Sequence, residues 1–130
     1  YGDRVIAKRG AFPQNVWTDG NAYWSGLQLD QVGYPVQLFA HLYRNLPVSQ
    51  RSALVAEFEP MVRSALDFIV NYGPWSAQER WEENFGISPS TFSVATAALL
   101  EGAKLLSAPS YARIANDWLT KPGGHLQQKV

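Results

Sequence analysis

Apolar residues recur at helical spacing along most of this chain. Val36, Phe39, Ala40 and Tyr43 stand at i, i+3, i+4 and i+7, which lines one face of a helix. Pro35 fits the first turn of that helix, and a start nearer Leu27 with a bend at the proline fits the pattern as well. Asn45 and Pro47 end it. Ser49 is expected to cap a second stretch over 50–59, where Pro60 breaks or restarts the pattern. Met61, Ala65, Phe68, Ile69 and Tyr72 then carry an apolar face to the stop signal Gly73-Pro74. Ser88-Pro89 sets a capping residue before a proline at the first helical position. Phe92, Ala95, Leu99, Ala103 and Leu106 mark a long Ala-rich helix behind it. A last helix starts around Ser110 and runs to Thr120, where Pro122-Gly123-Gly124 stops it. The first 24 residues hold no sustained period and read as irregular loop, with a short strand near Val5 and Ile6. Residues 75–87 read as a loop or a single helical turn, and 125–130 as a tail without packing pattern. The expected class is all-α, with about four helices whose two-sided apolar surfaces leave hydrophobic area uncovered.

Composition narrows the functional classes. At 130 residues and 14.5 kDa the chain holds one domain at most. Eleven Lys and Arg balance eleven Asp and Glu, with a pI near 6.9. A neutral chain gives no long-range attraction to nucleic acid or to anionic membrane, so neither is expected as a partner. Cysteine is absent, which excludes disulfides, Cys-ligated zinc and thiol chemistry. The two histidines, His41 and His125, form no HExxH pattern; no metal site and no cofactor is expected. Walker, GxSxG and GxGxxG motifs are also missing. The small-apolar run 92–106 is interrupted by Glu101 and Lys104, so no membrane span is expected. Tyr1-Gly2-Asp3 has neither an initiator Met nor the basic and apolar regions of a signal peptide, and reads as a cut end.

Two polar-aromatic clusters are candidates for chemistry. The first is Trp75, Gln78, Glu79, Arg80, Trp81, Glu82 and Glu83. Three carboxylates in five positions with one arginine repel one another, and apolar neighbours add to the effect; both raise a carboxyl pKa. A general acid working near neutrality needs a Glu lifted from about 4.3 towards about 6. Trp81 offers the apolar wall, and Glu79 or Glu83 the like charge. The competing reading is a solvated acidic turn with tryptophans packed below it. The second cluster is Trp17, Asp19, Asn21, Tyr23, Trp24, Gln28 and Asp30. Sugars present apolar C–H faces that stack on flat rings and hydroxyls that need polar partners, and this loop carries both. A turn-rich loop anchored by buried aromatics fits it equally. His41 reads as a core-edge or solvent-facing histidine. Asp67, Glu57, Glu59 and Asp117 read as solvated helix faces.

The run Gln78-Glu79-Arg80-Trp81-Glu82-Glu83, with Gly86-Ile87-Ser88-Pro89-Ser90-Thr91 after it, resembles the glucoamylase and glucodextranase family of inverting glycoside hydrolases, in its bacterial branch. Phe12-Pro13-Gln14-Asn15, Asp19-Gly20, Tyr23-Trp24 and Gln28-Leu29-Asp30 are similar to the same family's upstream substrate loop and helix. The resemblance implies an (α/α)6 barrel of six inner and six outer helices. Residues 1–130 would be a fragment of that single catalytic domain, with 1–25 the substrate loop and 26–120 the helices, including the acid-bearing loop 74–88. It implies Glu82 as the general acid, with Glu83 and Glu79 holding substrate hydroxyls. Trp24 would stack at the entrance subsites and support the acid. Trp81, Tyr23, Gln28 and Asp30 complete the implied substrate-binding set. Gln31 departs from the pattern, standing where many members carry Glu. An oligo- or polysaccharide is the implied substrate, and the rest of the catalytic domain the implied partner. A secreted or periplasmic location fits the family.

Inverting hydrolysis also needs a second carboxylate roughly 6.5–9.5 Å across the sugar. Glu83 neighbours the acid and cannot face it, and the family's base lies beyond Val130. The expectation is exo-acting hydrolysis of starch- or dextran-type α-glucans to glucose, with one half of the catalytic pair on this chain. A dextran- or trehalose-directed enzyme of the same fold, a non-catalytic sugar-binding protein and a helical structural domain remain the alternatives.

Overall fold

The computed structural model describes residues 9–23, 26–78 and 85–121. Four helices follow one another: α1 (Leu29–Asn45), α2 (Val48–Tyr72), α3 (Pro89–Leu105) and α4 (Pro109–Thr120). Among the described residues there is no strand, only three isolated bridges. The expected strand near Val5 and Ile6 and the 125–130 tail lie outside the described residues.

Three helices keep the bounds the pattern predicts to within two residues, and α2 does not. Pro60 was expected to break or restart the helix, yet α2 runs through it for 25 residues. Proline removes one hydrogen bond and crowds the carbonyl four residues back. Here both Pro60 and Ala56 are exposed, so water can serve the freed carbonyl. The Ser64 hydroxyl donates to the Pro60 carbonyl at 2.7 Å, which occupies another acceptor in that turn. Nor is Ser49 a cap: Pro47 holds that position, and Ser49 lies inside the first turn. Ser88 does occupy the cap position of α3, but its hydroxyl pairs with that of Ser90 at 3.0 Å instead of a backbone N–H. α1 begins at Leu29, close to the earlier of the two starts the pattern allows, and so holds Pro35 inside the helix.

The core forms where the apolar faces of the helices meet. α1 lies along α3, close enough that a Cβ on Gly33 would stand 2.8 Å from a Val94 methyl and 3.1 Å from the Val94 carbonyl oxygen. Only glycine admits that approach. Gln37 donates to the same carbonyl at 2.9 Å. Val32, Val36, Leu66, Ile69, Phe92, Ala95 and Leu99 are all buried between the helices. Phe39 meets Phe58 across α1 and α2, and Phe92 meets Trp118 across α3 and α4. Opposite this core, Tyr34, Leu38 and Leu42 project from α1 at four-residue spacing and remain exposed, Leu38 at 70%. That strip is the uncovered apolar surface the pattern predicts.

Candidate active site

The candidate site lies where the segment after α2 returns to the start of α1. Ser76 exchanges two backbone hydrogen bonds with Gly86, at 2.9 and 3.0 Å, and so closes the neck of the intervening loop. Gly86 has φ +134°, and a Cβ there would meet nothing; glycine is needed for its backbone angle and not for space. The Ser76 hydroxyl accepts the backbone N–H of Leu29 at 3.1 Å and donates to the Gln78 carbonyl at 2.6 Å. Leu29 opens α1, so its N–H is one of the orphan donors at a helix start, and a serine 47 residues away serves it. Gln78 in turn donates its N–H to the Leu27 carbonyl at 3.2 Å, pairing Gln78 with Gln28 in a parallel bridge. The loop neck is thereby fastened to the N-terminus of α1.

Of the residues implied by resemblance, Gln28 and Asp30 fall at this junction, each 5% exposed. The Asp30 carboxylate accepts the N–H of Gln31 at 2.9 Å and sits in the first helical turn, where the helix dipole favours negative charge. Glu79, Trp81, Glu82 and Glu83 stand in the sequence between Ser76 and Gly86, and with Arg80 and Trp24 they lie outside the described residues. The contact expected between the Glu82 carboxyl and its aromatic wall lies there too. The described flanks of the loop are aromatic: Trp75 and Phe85 approach to 6.2 Å between ring centres, Phe85 being 78% exposed.

Tyr23 stands on a second structure, a tight turn over 15–23. Tyr23 donates its N–H to the Asn15 carbonyl at 2.9 Å and Trp17 to that of Asn21 at 2.8 Å. Asp19 accepts from both the backbone and the side chain of Asn21, and these hydrogen bonds hold its carboxyl below the usual carboxylate range. The Trp17 and Tyr23 rings meet edge to face at 4.6 Å, and both are more than half exposed.

The sequence reading missed Ser76 and Phe85. Nothing in the Trp75-Ser76-Ala77 context distinguishes that serine, because its value comes from contacts far along the chain. The Asp19-Gly20 pair between aromatic positions was a usable turn signal for the Trp17–Tyr23 arrangement. His41 is exposed, as one of its two expected placements held, and Asp67 and Asp117 lie on solvated faces. Among the described residues no cluster of metal-ligating side chains occurs.

The helical frame is that of a glycoside hydrolase family. The model of glycosyl hydrolases family 15 matches residues 6–121. This chain belongs to that family. A glucoamylase of Clostridium sp. (strain G0005) is 34% identical over 122 residues, covering 88% of this chain and 16% of that protein. The crystal structure of a bacterial glucoamylase complexed with acarbose matches with a TM-score of 0.71 and 33% identity, over 90% of this chain and 17% of that one. The four helices are part of the (α/α)6-barrel fold of glucoamylase. The chain thus spans about one sixth of the length of these relatives.

Proposed function

We propose that these residues form the acid-bearing part of an exo-acting glucan α-glucosidase that releases glucose with inversion. Residues 1–130 belong to a single barrel catalytic domain, whose remaining helices cover the exposed strip of Tyr34, Leu38 and Leu42. Glu82 protonates the departing glycosidic oxygen. A base carried by sequence outside these 130 residues activates water on the opposite face of the sugar. Glu79, Glu83, Gln28 and Asp30 hold hydroxyls, while Trp24, Trp81 and Tyr23 stack on sugar faces.

The observation that carries this reading is the fastened neck. In a family 15 chain, the Ser76–Gly86 pairing and the Ser76 hydroxyl bring the base of the Glu79–Glu83 stretch to the start of α1, beside Gln28 and Asp30. The Gln78 end of one polar-aromatic cluster so meets the Gln28 end of the other. A fixed position matters because a general acid acts only within hydrogen-bond reach of the oxygen it protonates.

The test is Glu82→Gln in the intact protein that carries this segment. The amide keeps the size and loses the transferable proton, so kcat should fall by about two to four orders of magnitude while maltooligosaccharide binding is largely spared. Near-normal hydrolysis would overturn the assignment. Following the anomer by NMR tests inversion, since initial release of β-glucose is expected. A screen of α-1,4, α-1,6 and α,α-1,1 linkages separates starch-, dextran- and trehalose-directed activity. Sugar binding without any glucose release would identify a non-catalytic protein instead.

A further inference from the structure

Resting on the reading above, we infer that Gln31 is a positioning residue for sugar binding: its side-chain amide clamps both ends of the aromatic loop 12–26 to the first turn of α1, and it can do so only as an uncharged donor. The Gln31 Nε2 donates to the Phe12 carbonyl at 2.7 Å and to the Gly26 carbonyl at 3.3 Å. These partners lie 19 and 5 residues away and bracket the segment that carries Trp17, Tyr23 and Trp24. One amide group therefore closes the loop at its base. The Asn15–Tyr23 and Trp17–Asn21 backbone pairs order its outer part. The Trp17–Tyr23 surface is fixed to α1, and so to the junction with the acidic loop, through this side chain.

The donor pattern leaves no alternative orientation. Both partners are carbonyl oxygens, so the amide nitrogen must face them. The other end of the amide, Oε1, is buried and has no hydrogen-bond partner. With one buried acceptor unserved, the side chain is held by what its nitrogen does, because an unserved acceptor by itself costs stability. A carboxylate in the same place would bring anionic oxygen against two carbonyl oxygens. Protonated, it could donate one hydrogen bond, to the nearer Phe12 carbonyl.

That difference supplies the test. In the intact protein, Gln31→Glu and Gln31→Met are compared with wild type by hydrogen exchange of the 12–26 segment, corrected for intrinsic rates, and by hydrolysis of maltoheptaose. At neutral pH both variants should exchange the Trp17 and Tyr23 amides about tenfold faster or more, with α1–α4 unchanged. As pH falls through the carboxyl range near about 4.3 and above, Gln31→Glu should regain protection while Gln31→Met does not. Among the described residues the ionisable groups nearby are Asp30, which accepts the Gln31 N–H, and Tyr34 and His41 on the rim of the adjoining cavity. All three are present in both variants, so Gln31→Met supplies their baseline. KM for maltoheptaose should rise about tenfold with kcat within about threefold, the split expected of lost binding.

Unchanged exchange in both variants overturns the clamp. Faster exchange with an unmoved KM overturns the role in sugar binding. Equal pH responses of the two variants overturn the requirement for a neutral donor. An intact wild-type protein that cleaves no maltooligosaccharide overturns the proposed function and the sugar-binding half of this inference, while the exchange pattern still decides the clamp.

Discussion

The helical frame and the loop region are held by different means. In the frame, position is over-determined: Phe92, Leu99, Val36, Leu66 and Ile69, from three helices, are buried in one cluster. Around the start of α1, position depends on single polar side chains. Ser76 serves two backbone partners, Gln31 serves two carbonyls, and Asp19 orders one turn. Burial is non-directional and additive in area, whereas a hydrogen bond fixes one atom against another. Damage to the frame should therefore appear as lost stability, and damage to the loop supports as misplaced chemistry.

The largest expected effect on stability is Phe92→Ala. Phe92, on α3, is fully buried and faces the Trp118 ring of α4, and removing a buried Phe costs about 3–5 kcal/mol. The intact protein should melt at a clearly lower temperature. At temperatures where it stays folded, kcat/KM should hold near wild type. A variant that melts normally but hydrolyses poorly would break the division between frame and site.

Ser76→Ala is expected to do the reverse. It leaves the Leu29 N–H and the Gln78 carbonyl without their partner at a site where Ser76 is 1% exposed. The cost of such orphaned groups is about 1–3 kcal/mol, smaller than a core truncation. Because the loss falls at the neck of the acidic loop, kcat/KM should drop by about tenfold or more. An Ser76→Ala enzyme with full activity would show that the loop does not need this fastening.

The same division explains what the sequence disclosed. Helix faces were legible because burial leaves a periodic trace: Val36, Phe39 and Ala40, or Phe92, Ala95 and Leu99, can be read from spacing alone. The course of α2 through Pro60 was not, because tolerance depends on whether Ala56 and Pro60 face solvent, a tertiary fact. The composition of the candidate site, and its resemblance to family 15, stood in contiguous runs at 78–83 and 12–30. Its supports did not. Ser76 meets Leu29 and Gln31 meets Phe12 through contacts that no local period encodes.

The smallest expected effect tests whether the frame is indifferent to single polar contacts. The Tyr111 hydroxyl donates to the Asp67 carboxylate at 2.6 Å, tying α4 to α2. Burial first, and the Asp67 charge and hydrogen bond next, push the Tyr111 phenol up to about 12. A phenol whose pKa is raised on folding lends its full share of stability below the ordinary value of about 10. That share is lost as pH climbs through the raised value. An ultraviolet difference titration of wild type against Tyr111→Phe should isolate one tyrosine that ionises near the upper end of that window. At neutral pH the substitution should cost only about 0.5–1 kcal/mol, since Asp67 lies on an exposed face and regains water as its partner. A loss comparable to that of Phe92→Ala would mean that the α2–α4 seam is pinned by one polar contact, in the manner of the loops, and that the frame is not uniform.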